Sequence, residues 1–166
     1  YPNGTAEVVG EKQMMFSQGD EWVQFAGRIR LVDIDGDNRL AAEINASTVL
    51  ADKGLDEGGY FLVSAHREEN VDSPDRLRAL LECLSRVHRE HGLPVIVSTH
   101  PRTRKRLEAL GSVGEGDIRW MEPFGFHDYN HLQLKAACVL SDSGTIAEES
   151  SLLGFPAITL RDSVER

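Results

Sequence analysis

The sequence predicts an α/β protein with a doubly wound parallel sheet in residues 60–166, preceded by a small β-hairpin in residues 1–43. Two observations predict the sheet: short apolar segments alternate with segments of helical periodicity, and a polar cluster follows each apolar segment. Strands that alternate with helices are joined by right-handed crossovers, which makes them parallel. Such sheets bind ligands at the carboxyl ends of their strands. Residues 44–59 are expected to form a linker.

Apolar runs and capping residues define the individual elements. The helix after the first strand carries leucines at helical spacing from Leu77 to Leu84. Asp72 or Ser73 is its expected cap, and Gly92 is its expected end. The other expected helices are 103–110, 128–137 and 145–153. The expected strands are 60–64, 94–98, 118–121, 138–141 and 156–160.

Residues 1–42 have a β pattern. Apolar and polar residues alternate after Trp22, and Ser17–Asp20 is typical of a hairpin turn. Within the linker, a short helix is expected over 47–55 and a turn over 56–59. Since two strands alone are marginally stable, the hairpin is expected to pack on the larger domain or on a partner.

Charge and composition limit the classes of partner. The net charge of −9 and the pI near 5.1 argue against nucleic acid or an anionic membrane. No apolar run is long enough to span a membrane and the first residues do not resemble a signal peptide, so a cytoplasmic location is expected. Cys83 and Cys138 lack metal-type spacing, which predicts two buried free thiols.

No metal or cofactor is expected. The segment Asp33–Asp37 is similar to a calcium-binding loop, with acidic residues at the first, third and fifth places. However, Gly36 stands at the fourth place rather than the sixth, and the twelfth residue is Ile44 rather than a glutamate. A solvated turn is therefore favoured over a calcium site.

The main candidate site is the segment SDSGTIAEE, which follows an apolar strand. Gly144 has no side chain, so a ligand could approach the backbone there. Ser143 is an expected helix cap, and Thr145 with Glu148 matches a second capping signal. The start of the helix favours a phosphate, and Glu149 could accept hydrogen bonds from ribose hydroxyls. The alternative is a well-capped helix with no ligand.

Polar clusters at the other predicted strand ends fall on the same edge of the sheet. They are Ala65–Glu68, Thr99–Arg102, Glu122–Phe126 and Arg161–Asp162. His66 and Arg67 could contact a diphosphate or a sugar, and the alternative is an exposed surface pair. For His100, directly before a proline, a structural role in the loop is favoured.

Two further groups at this edge have open interpretations. The basic residues at 102–106 begin a helix, where they either face an anion or form a solvated face. The aromatic residues are expected to divide between core and pocket, where a ring could stack on a base. They are Phe124, Phe126 and Tyr129.

The N-terminal segment NGTAEVVGEKQMMFSQGDEWVQFAGRIRLVDIDGDN resembles part of the flagellar L-ring protein. In that family the same run forms strands of a ring that assembles with other chains. The resemblance includes no catalytic motif. It implies that the hairpin is an element of assembly.

Residues 44–166 resemble the C-terminal half of the non-hydrolysing UDP-N-acetylglucosamine 2-epimerases. Four motifs carry the resemblance in order: YFLVSAHREENVDSPDRLRALLECL, PVIVSTHPRTRKRLE, PFGFHDYNHLQ and SDSGTIAEESSLLGFPAITLRDSVER. HREEN and FHDYN are most similar to the branch of UDP-N-acetyl-L-fucosamine synthase, which acts in surface-polysaccharide biosynthesis. The resemblance implies one Rossmann-like domain of a glycosyltransferase-B-type fold, with the active site in the cleft between two domains.

The resemblance also implies roles for individual residues. His66 matches the active-site histidine, Glu149 the residue that holds the ribose hydroxyls, and Tyr129 an aromatic ring beside the uracil. Thr145 stands where many members have a second glycine in the diphosphate-binding turn. Together with Arg67, the expected contacts to UDP are Ser143, Gly144, Thr145, Glu149, Tyr129, Arg161 and Arg166.

The family reaction is loss of UDP from C1 with removal of the C2 proton, followed by readdition of UDP. It needs acid/base groups on both faces of the sugar, and the family takes its key carboxylates from an N-terminal domain. The chain is therefore expected to be a nucleotide-binding half, truncated at its C-terminus and inactive alone. Its expected partners are a UDP-sugar and either a second copy of the chain or a missing N-terminal domain. The alternatives are a UDP-sugar-binding module without chemistry and an interaction protein that uses the hairpin.

Overall fold

A computed structural model of the chain describes residues 8–18, 21–29 and 39–160. These residues fall into two compact units, divided between Ser47 and Thr48. In the described ranges, no helix combines the length and the apolar character that crossing a membrane requires. The limits proposed for the linker, residues 44–59, stay a prediction.

The N-terminal unit contains an antiparallel strand pair and a helix. Strand β1 (Val8–Gln18) pairs with β2 (Glu21–Ile29), and Gln18 lies opposite Glu21. The predicted hairpin is thus confirmed. Helix α1 (Arg39–Asn45) shows that the prediction of β structure up to residue 42 is wrong at its end. The segment RLAAEIN is rich in strong helix formers, and this preference outweighs the strand pattern before it.

The second unit is a five-stranded parallel sheet with helices between its strands. In chain order its elements are α2 (Val49–Lys53), β3 (Phe61–Ser64), α3 (Glu68–Val71), α4 (Pro74–His91), β4 (Val95–Ser98), α5 (Pro101–Leu110), β5 (Ile118–Met121), α6 (Phe126–Lys135), β6 (Cys138–Ser141), α7 (Ile146–Leu153) and β7 (Ala157–Thr159). This confirms the predicted α/β fold with a doubly wound parallel sheet.

The strand order β5–β4–β3–β6–β7 places a reversal of direction at β3. From β3 the chain adds β4 and then β5 on one side, and it returns to add β6 and β7 on the other side. In open α/β sheets the loops that leave such a reversal diverge and leave a crevice beyond the carboxyl ends of the strands. The fold therefore predicts a ligand site between the ends of β3 and β6.

Each strand contributes alternate residues to the two faces of the sheet, as the period of two requires. On one face, Leu62, Ile96 and Val139 pack with residues from α2, α6 and α7. On the other face, Val63 and Val97 pack with residues that include Leu84 of α4. The central strands are apolar up to their last residue, a serine in each, because both of their faces are covered.

Helix α4 follows its capping signals. The Ser73 hydroxyl accepts a hydrogen bond from the Arg76 N–H, and Gly92 ends the helix with a φ of 67°. The predicted burial of both thiols is wrong, because Cys83 is exposed and Cys138 is only partly buried. Cys83 lies one residue before the buried Leu84, a rotation of about 100° that takes it off the core face.

Three helices differ from the prediction in their boundaries or their presence. Helix α5 begins at Pro101 rather than residue 103, because Nδ1 of His100 accepts a hydrogen bond from the Arg102 N–H. The structure thereby supports the structural role favoured for His100. Helix α6 runs two residues ahead of its predicted range at both ends. Helix α3 has four residues and was not predicted.

Replacing Tyr60 by phenylalanine tests the packing between β3 and α6. Tyr60 is fully buried, its hydroxyl donates to the Leu132 carbonyl at 2.7 Å, and burial raises its pKa above the ordinary value. At about pH 8, Tyr60→Phe should lower the free energy of unfolding by about 1–3 kcal/mol, because the Leu132 carbonyl loses its donor.

The effect should diminish at alkaline pH. A raised pKa in the folded state stabilises the fold below the unfolded-state pKa of about 10, and this contribution is lost as the pH rises further. Tyr60→Phe has no such ionisation, so the difference between the two chains should narrow above about pH 10. Urea unfolding at several pH values measures it, and a difference that widens would contradict the assignment.

Candidate functional site

A cavity of about 550 Å³ opens at the carboxyl edge of the sheet, where β3 and β6 end. It brings together residues from the loops after β3, β5 and β6, the last residue of β4, and helices α6 and α7. Six of the residues expected to act on or contact the ligand line it: His66, Arg67, Tyr129, Ser143, Gly144 and Glu149. The prediction that these separated motifs share one edge therefore agrees with the geometry.

Asp142 connects the two loops at the centre of the site. Its carboxylate is buried and accepts hydrogen bonds from the His66 N–H at 3.0 and 3.1 Å and from the Arg67 N–H at 2.9 Å. The Asn70 side-chain amide donates to it at 3.0 Å. In return, Nε of Arg67 donates to the Asp142 carbonyl at 2.9 Å. The loop after β3 is thus attached to the loop after β6.

The turn before α7 differs from its predicted capping pattern. The helix begins at Ile146, and Thr145 is the N-cap without a capping hydrogen bond from its side chain. Its hydroxyl donates instead to the Glu149 carboxylate at 2.5 Å. The Ser143 hydroxyl accepts a hydrogen bond from the Thr145 N–H at 3.3 Å, which keeps the turn closed.

The start of α7 leaves backbone donors available. The N–H groups in the first turn of an α-helix have no partner within the helix, and in α7 they are those of Ile146, Ala147 and Glu148. Gly144 lines the cavity, so these donors lie at its border. Free N–H groups and the positive end of the helix dipole together favour an anion.

Glu149 is held by two neighbours. One carboxylate oxygen accepts from the Thr145 hydroxyl, and the other accepts from the Gln133 side-chain amide at 3.2 Å. Gln133 is buried on α6 and lines the same cavity. Each carboxylate oxygen has a second lone pair, so Glu149 could still accept hydrogen bonds from two adjacent hydroxyl groups of a ligand.

His66 lies at the cavity wall, where its side chain is exposed but the surrounding loops still exclude part of its water. Burial lowers its pKa from the ordinary value, and the nearby His100 adds to this, whereas the Asp142 carboxylate partly opposes it. The two imidazole rings are 6.4 Å apart in an edge-to-face arrangement. At neutral pH the imidazole is therefore mainly uncharged and can accept or donate a proton.

The aromatic residues of this edge follow the predicted division between core and pocket only in part, because one of the three is in neither. Phe124 and Tyr129 line the cavity and also pack against the core cluster of α6 and α7. Phe126 is exposed. Burial raises the pKa of Tyr129, the negative charges of Glu149 and Asp142 add to this, and a hydrogen bond with Ser64 partly opposes it. The phenol is therefore neutral at physiological pH.

The basic residues of α5 pair with carboxylates of the protein. Arg102 forms ion pairs with Glu68 and Asp72, and Arg106 contacts Asp72 at 3.3 Å. Arg104 is 3.7 Å from Glu122. These exposed pairs agree with the solvated face considered for the segment rather than with an anion site.

Several predicted features lie outside the described residues: Arg161, Arg166 and the calcium-like segment 33–37. Within the described ranges, no group of three or more His, Cys, Asp or Glu side chains could hold a metal ion. Sequence reasoning also missed three residues of the site, namely Asn70, Gln133 and Asp142. The available signal was the position of Asp142 directly after a buried strand, inside the motif that was already singled out.

The sequence profile described as UDP-N-acetylglucosamine 2-epimerase matches residues 18–166. The chain belongs to this family. The match begins within β1, inside the segment that also resembles the flagellar L-ring protein, and that second resemblance stays a prediction.

Relatives in the family act on more than one UDP-sugar. UDP-N-acetylglucosamine 2-epimerase of Methanocaldococcus jannaschii is 38% identical over 111 residues, which are 64% of this chain and 30% of that protein. UDP-2,3-diacetamido-2,3-dideoxy-D-glucuronate 2-epimerase of Pseudomonas aeruginosa is 32% identical over 145 residues, which are 79% of this chain and 40% of that protein. The chain thus spans well under half the length of these relatives.

A solved structure of the same family shows the same fold. The M. jannaschii UDP-GlcNAc 2-epimerase in complex with UDP-GlcNAc and UDP superposes with a TM-score of 0.66 at 34% identity. The match covers 76% of this chain and 36% of that one. Family membership and the Rossmann-like fold are therefore established, whereas the role of each site residue is a matter for proposal.

The pKa of His66 provides a test of the site's geometry. Because burial disfavours the imidazolium form, the NMR titration midpoint of His66 should lie below the ordinary value of about 6.5. A lowered folded-state pKa stabilises the fold above the unfolded-state pKa, and this contribution is lost as the pH falls through the folded-state value.

The same group should therefore contribute to acid sensitivity. Between about pH 7 and about pH 5, the parent chain should lose more unfolding free energy than His66→Gln, which has no imidazole to charge. The imidazole signal that is missing from the spectrum of His66→Gln also identifies the resonance of His66. A midpoint at or above about 6.5 would show that the imidazole is not shielded from water as described.

Proposed function

We propose that the second unit binds the UDP part of a UDP-sugar in this cavity, as the nucleotide-binding half of a UDP-N-acetylglucosamine 2-epimerase. The observation that carries the proposal is the start of α7, whose first-turn N–H groups follow directly after Gly144 at the cavity. The family match and the fold add independent support.

The diphosphate would lie at the turn formed by Ser143, Gly144 and Thr145. Backbone N–H groups bind phosphate oxygens well when the helix dipole points in the same direction. The absence of a side chain at Gly144 allows close approach. Arg67 lines the same cavity, where its guanidinium could contact the same phosphates while Nε remains bonded to the Asp142 carbonyl.

The ribose and the base would lie towards α6. Thr145 and Gln133 hold the Glu149 carboxylate in one orientation, which suits a pair of adjacent hydroxyl groups. Tyr129 and Phe124 supply aromatic surface for a uracil ring. Arg161 and Arg166 stay candidates for the same nucleotide on the family resemblance alone.

In the family reaction, UDP leaves C1 and returns after the C2 proton has been exchanged between faces. A site that keeps UDP in place makes the return step effectively intramolecular. His66, uncharged at neutral pH, is the candidate proton donor or acceptor on this side of the sugar.

The two carboxylates that line the cavity, Asp142 and Glu149, are both occupied by protein donors. This favours a further domain or a second copy of the chain as the source of the remaining acid/base groups. It equally favours the second candidate function, a UDP-sugar-binding module without chemistry. Exchange of the sugar's C2 proton with solvent separates the two, because only the epimerase breaks that bond.

Calorimetric titration with UDP tests the diphosphate site. Gly144→Val places a branched side chain beside the N–H donors and should weaken UDP binding by about tenfold or more. Gly125→Val is the matched control, since Gly125 has a φ of −63° and a Cβ there would meet no atom within 4 Å. UDP binding by Gly144→Val at the parent's affinity would place the phosphates elsewhere.

Comparing UDP with free pyrophosphate tests the ribose contact. Glu149→Gln keeps the shape of the side chain, and its amide can still pair with Thr145 and Gln133, but it removes the charge. A lost charge-assisted hydrogen bond should weaken UDP binding by roughly ten- to hundredfold. Pyrophosphate has no ribose and should bind both chains alike. Equal losses for the two ligands would mean that Glu149 acts on the phosphates or on the fold.

A further inference from the structure

We propose that Asp142 is a positioning residue that holds His66 and Arg67 at a fixed place relative to the Ser143–Gly144 turn. The proposal rests on the proposed function, in which the loop after β3 and the turn before α7 bind one ligand. It assigns the alignment of this loop and this turn to one side chain. Asp142 also lines the cavity, but donors of the loop after β3 and of Asn70 occupy its carboxylate. It therefore acts through His66 and Arg67.

The contacts of the carboxylate are specific to one loop. Asp142 is 3% exposed, and its recorded hydrogen bonds come from the His66 N–H, the Arg67 N–H and the side-chain amide of Asn70. A buried carboxylate is tolerated only when such donors surround it. The loop after β3 therefore has to adopt the conformation that brings these donors together.

Asn70 extends the same connection to the chain beyond β7. Its amide donates to the Asp142 carboxylate at 3.0 Å and to the Leu160 carbonyl at 3.1 Å. Three strand ends, those of β3, β6 and β7, are thus joined through two side chains. A displacement of the loop at His66 would break all of these bonds together.

The sheet itself does not depend on Asp142. The β3–β6 ladder runs from Phe61 opposite Cys138 to Ser64 opposite Ser141, and apolar clusters cover both of its faces. These interactions hold the two strands in place without any contribution from the loops. The effect of Asp142 is therefore expected at the loop after β3 rather than in the global fold.

Two variants separate the effect of the Asp142 charge from the effect of its hydrogen bonds. Asp142→Asn removes the charge but can retain an oxygen at the position of Oδ2, which meets donors from His66, Arg67 and Asn70. Asp142→Ala removes the charge and all of the side-chain hydrogen bonds. Asp117→Asn is the charge control, since Asp117 precedes β5 and pairs with Arg119.

The pKa of His66, measured by NMR titration of the full chain, tests the positioning role. A general loss of stability would not shift this pKa in opposite directions in the two variants. In Asp142→Asn the loop stays in place without the attracting charge, so the pKa of His66 should fall below that of the parent. In Asp142→Ala the loop is released and His66 gains access to water, so its pKa should rise towards the ordinary value of about 6.5. Asp117→Asn should leave the titration unchanged.

Titration with UDP on the same samples separates this proposal from the proposed function. We expect Asp142→Ala to bind UDP roughly tenfold more weakly than the parent, because Arg67 is no longer held beside the turn. If the parent does not bind UDP but the two His66 shifts appear, the positioning role stands and the proposed function fails. If UDP binds and neither variant shifts His66, the positioning role is wrong. Should Asp142→Ala not fold, the downward shift in Asp142→Asn decides.

Discussion

The pairing of β3 with β6 is the constraint on which the site depends. The two strands are parallel and in register from Phe61 and Cys138 to Ser64 and Ser141, so their carboxyl ends are level. At this pair the chain changes the side of the sheet on which it adds strands. The loops that follow β3 and β6 therefore diverge and leave a cavity. Apolar residues on both faces fix the pair, which means that core packing determines where Asp142 and His66 can lie. A buried carboxylate then selects the loop conformation that satisfies it, since an unpaired charge there would cost about 3–5 kcal/mol.

The second wall of the cavity is set by the same core. Leu132 and Ile146 belong to the apolar cluster that covers one face of the sheet, and both are almost completely buried. Gln133 follows Leu132 on α6, and Glu149 lies one turn after Ile146 on α7, so the packing of the helices brings the two polar side chains within 3.2 Å. The amide of Gln133 would be costly to bury alone, and Glu149 is its acceptor. The orientation of the carboxylate is thus a consequence of helix packing and needs no ligand to establish it.

Local patterns explain which parts of this arrangement the sequence predicts. The strands of the sheet are short apolar runs between turn residues, and helix α4 has a leucine stripe between Ser73 and Gly92, so a single window contains the whole signal. The contacts of Asp142 with His66 span 76 residues, and that of Gln133 with Glu149 spans 16, so neither leaves a periodic pattern. Helix α3 is shorter than any window of helical periodicity. The exposed position of Cys83 depends on the rotation of α4 against the sheet, which its composition does not define.

Electrostatics shows how such a site can hold an anion on an acidic chain. The net charge is −9, and two of the side chains that line the cavity are carboxylates. Screening at physiological salt limits the reach of exposed charges to about 8–10 Å, so the net charge acts weakly inside the cavity. The charge of Asp142 is already met by N–H donors from the loop after β3 and from Asn70, and that of Glu149 by a hydroxyl and an amide. The groups at the cavity that can meet an anion include the first-turn N–H groups of α7 and the guanidinium of Arg67. Affinity for a diphosphate would therefore rest on oriented backbone dipoles at short range. It depends less on a basic surface than on the absence of a side chain at Gly144, which lets the ligand reach the backbone.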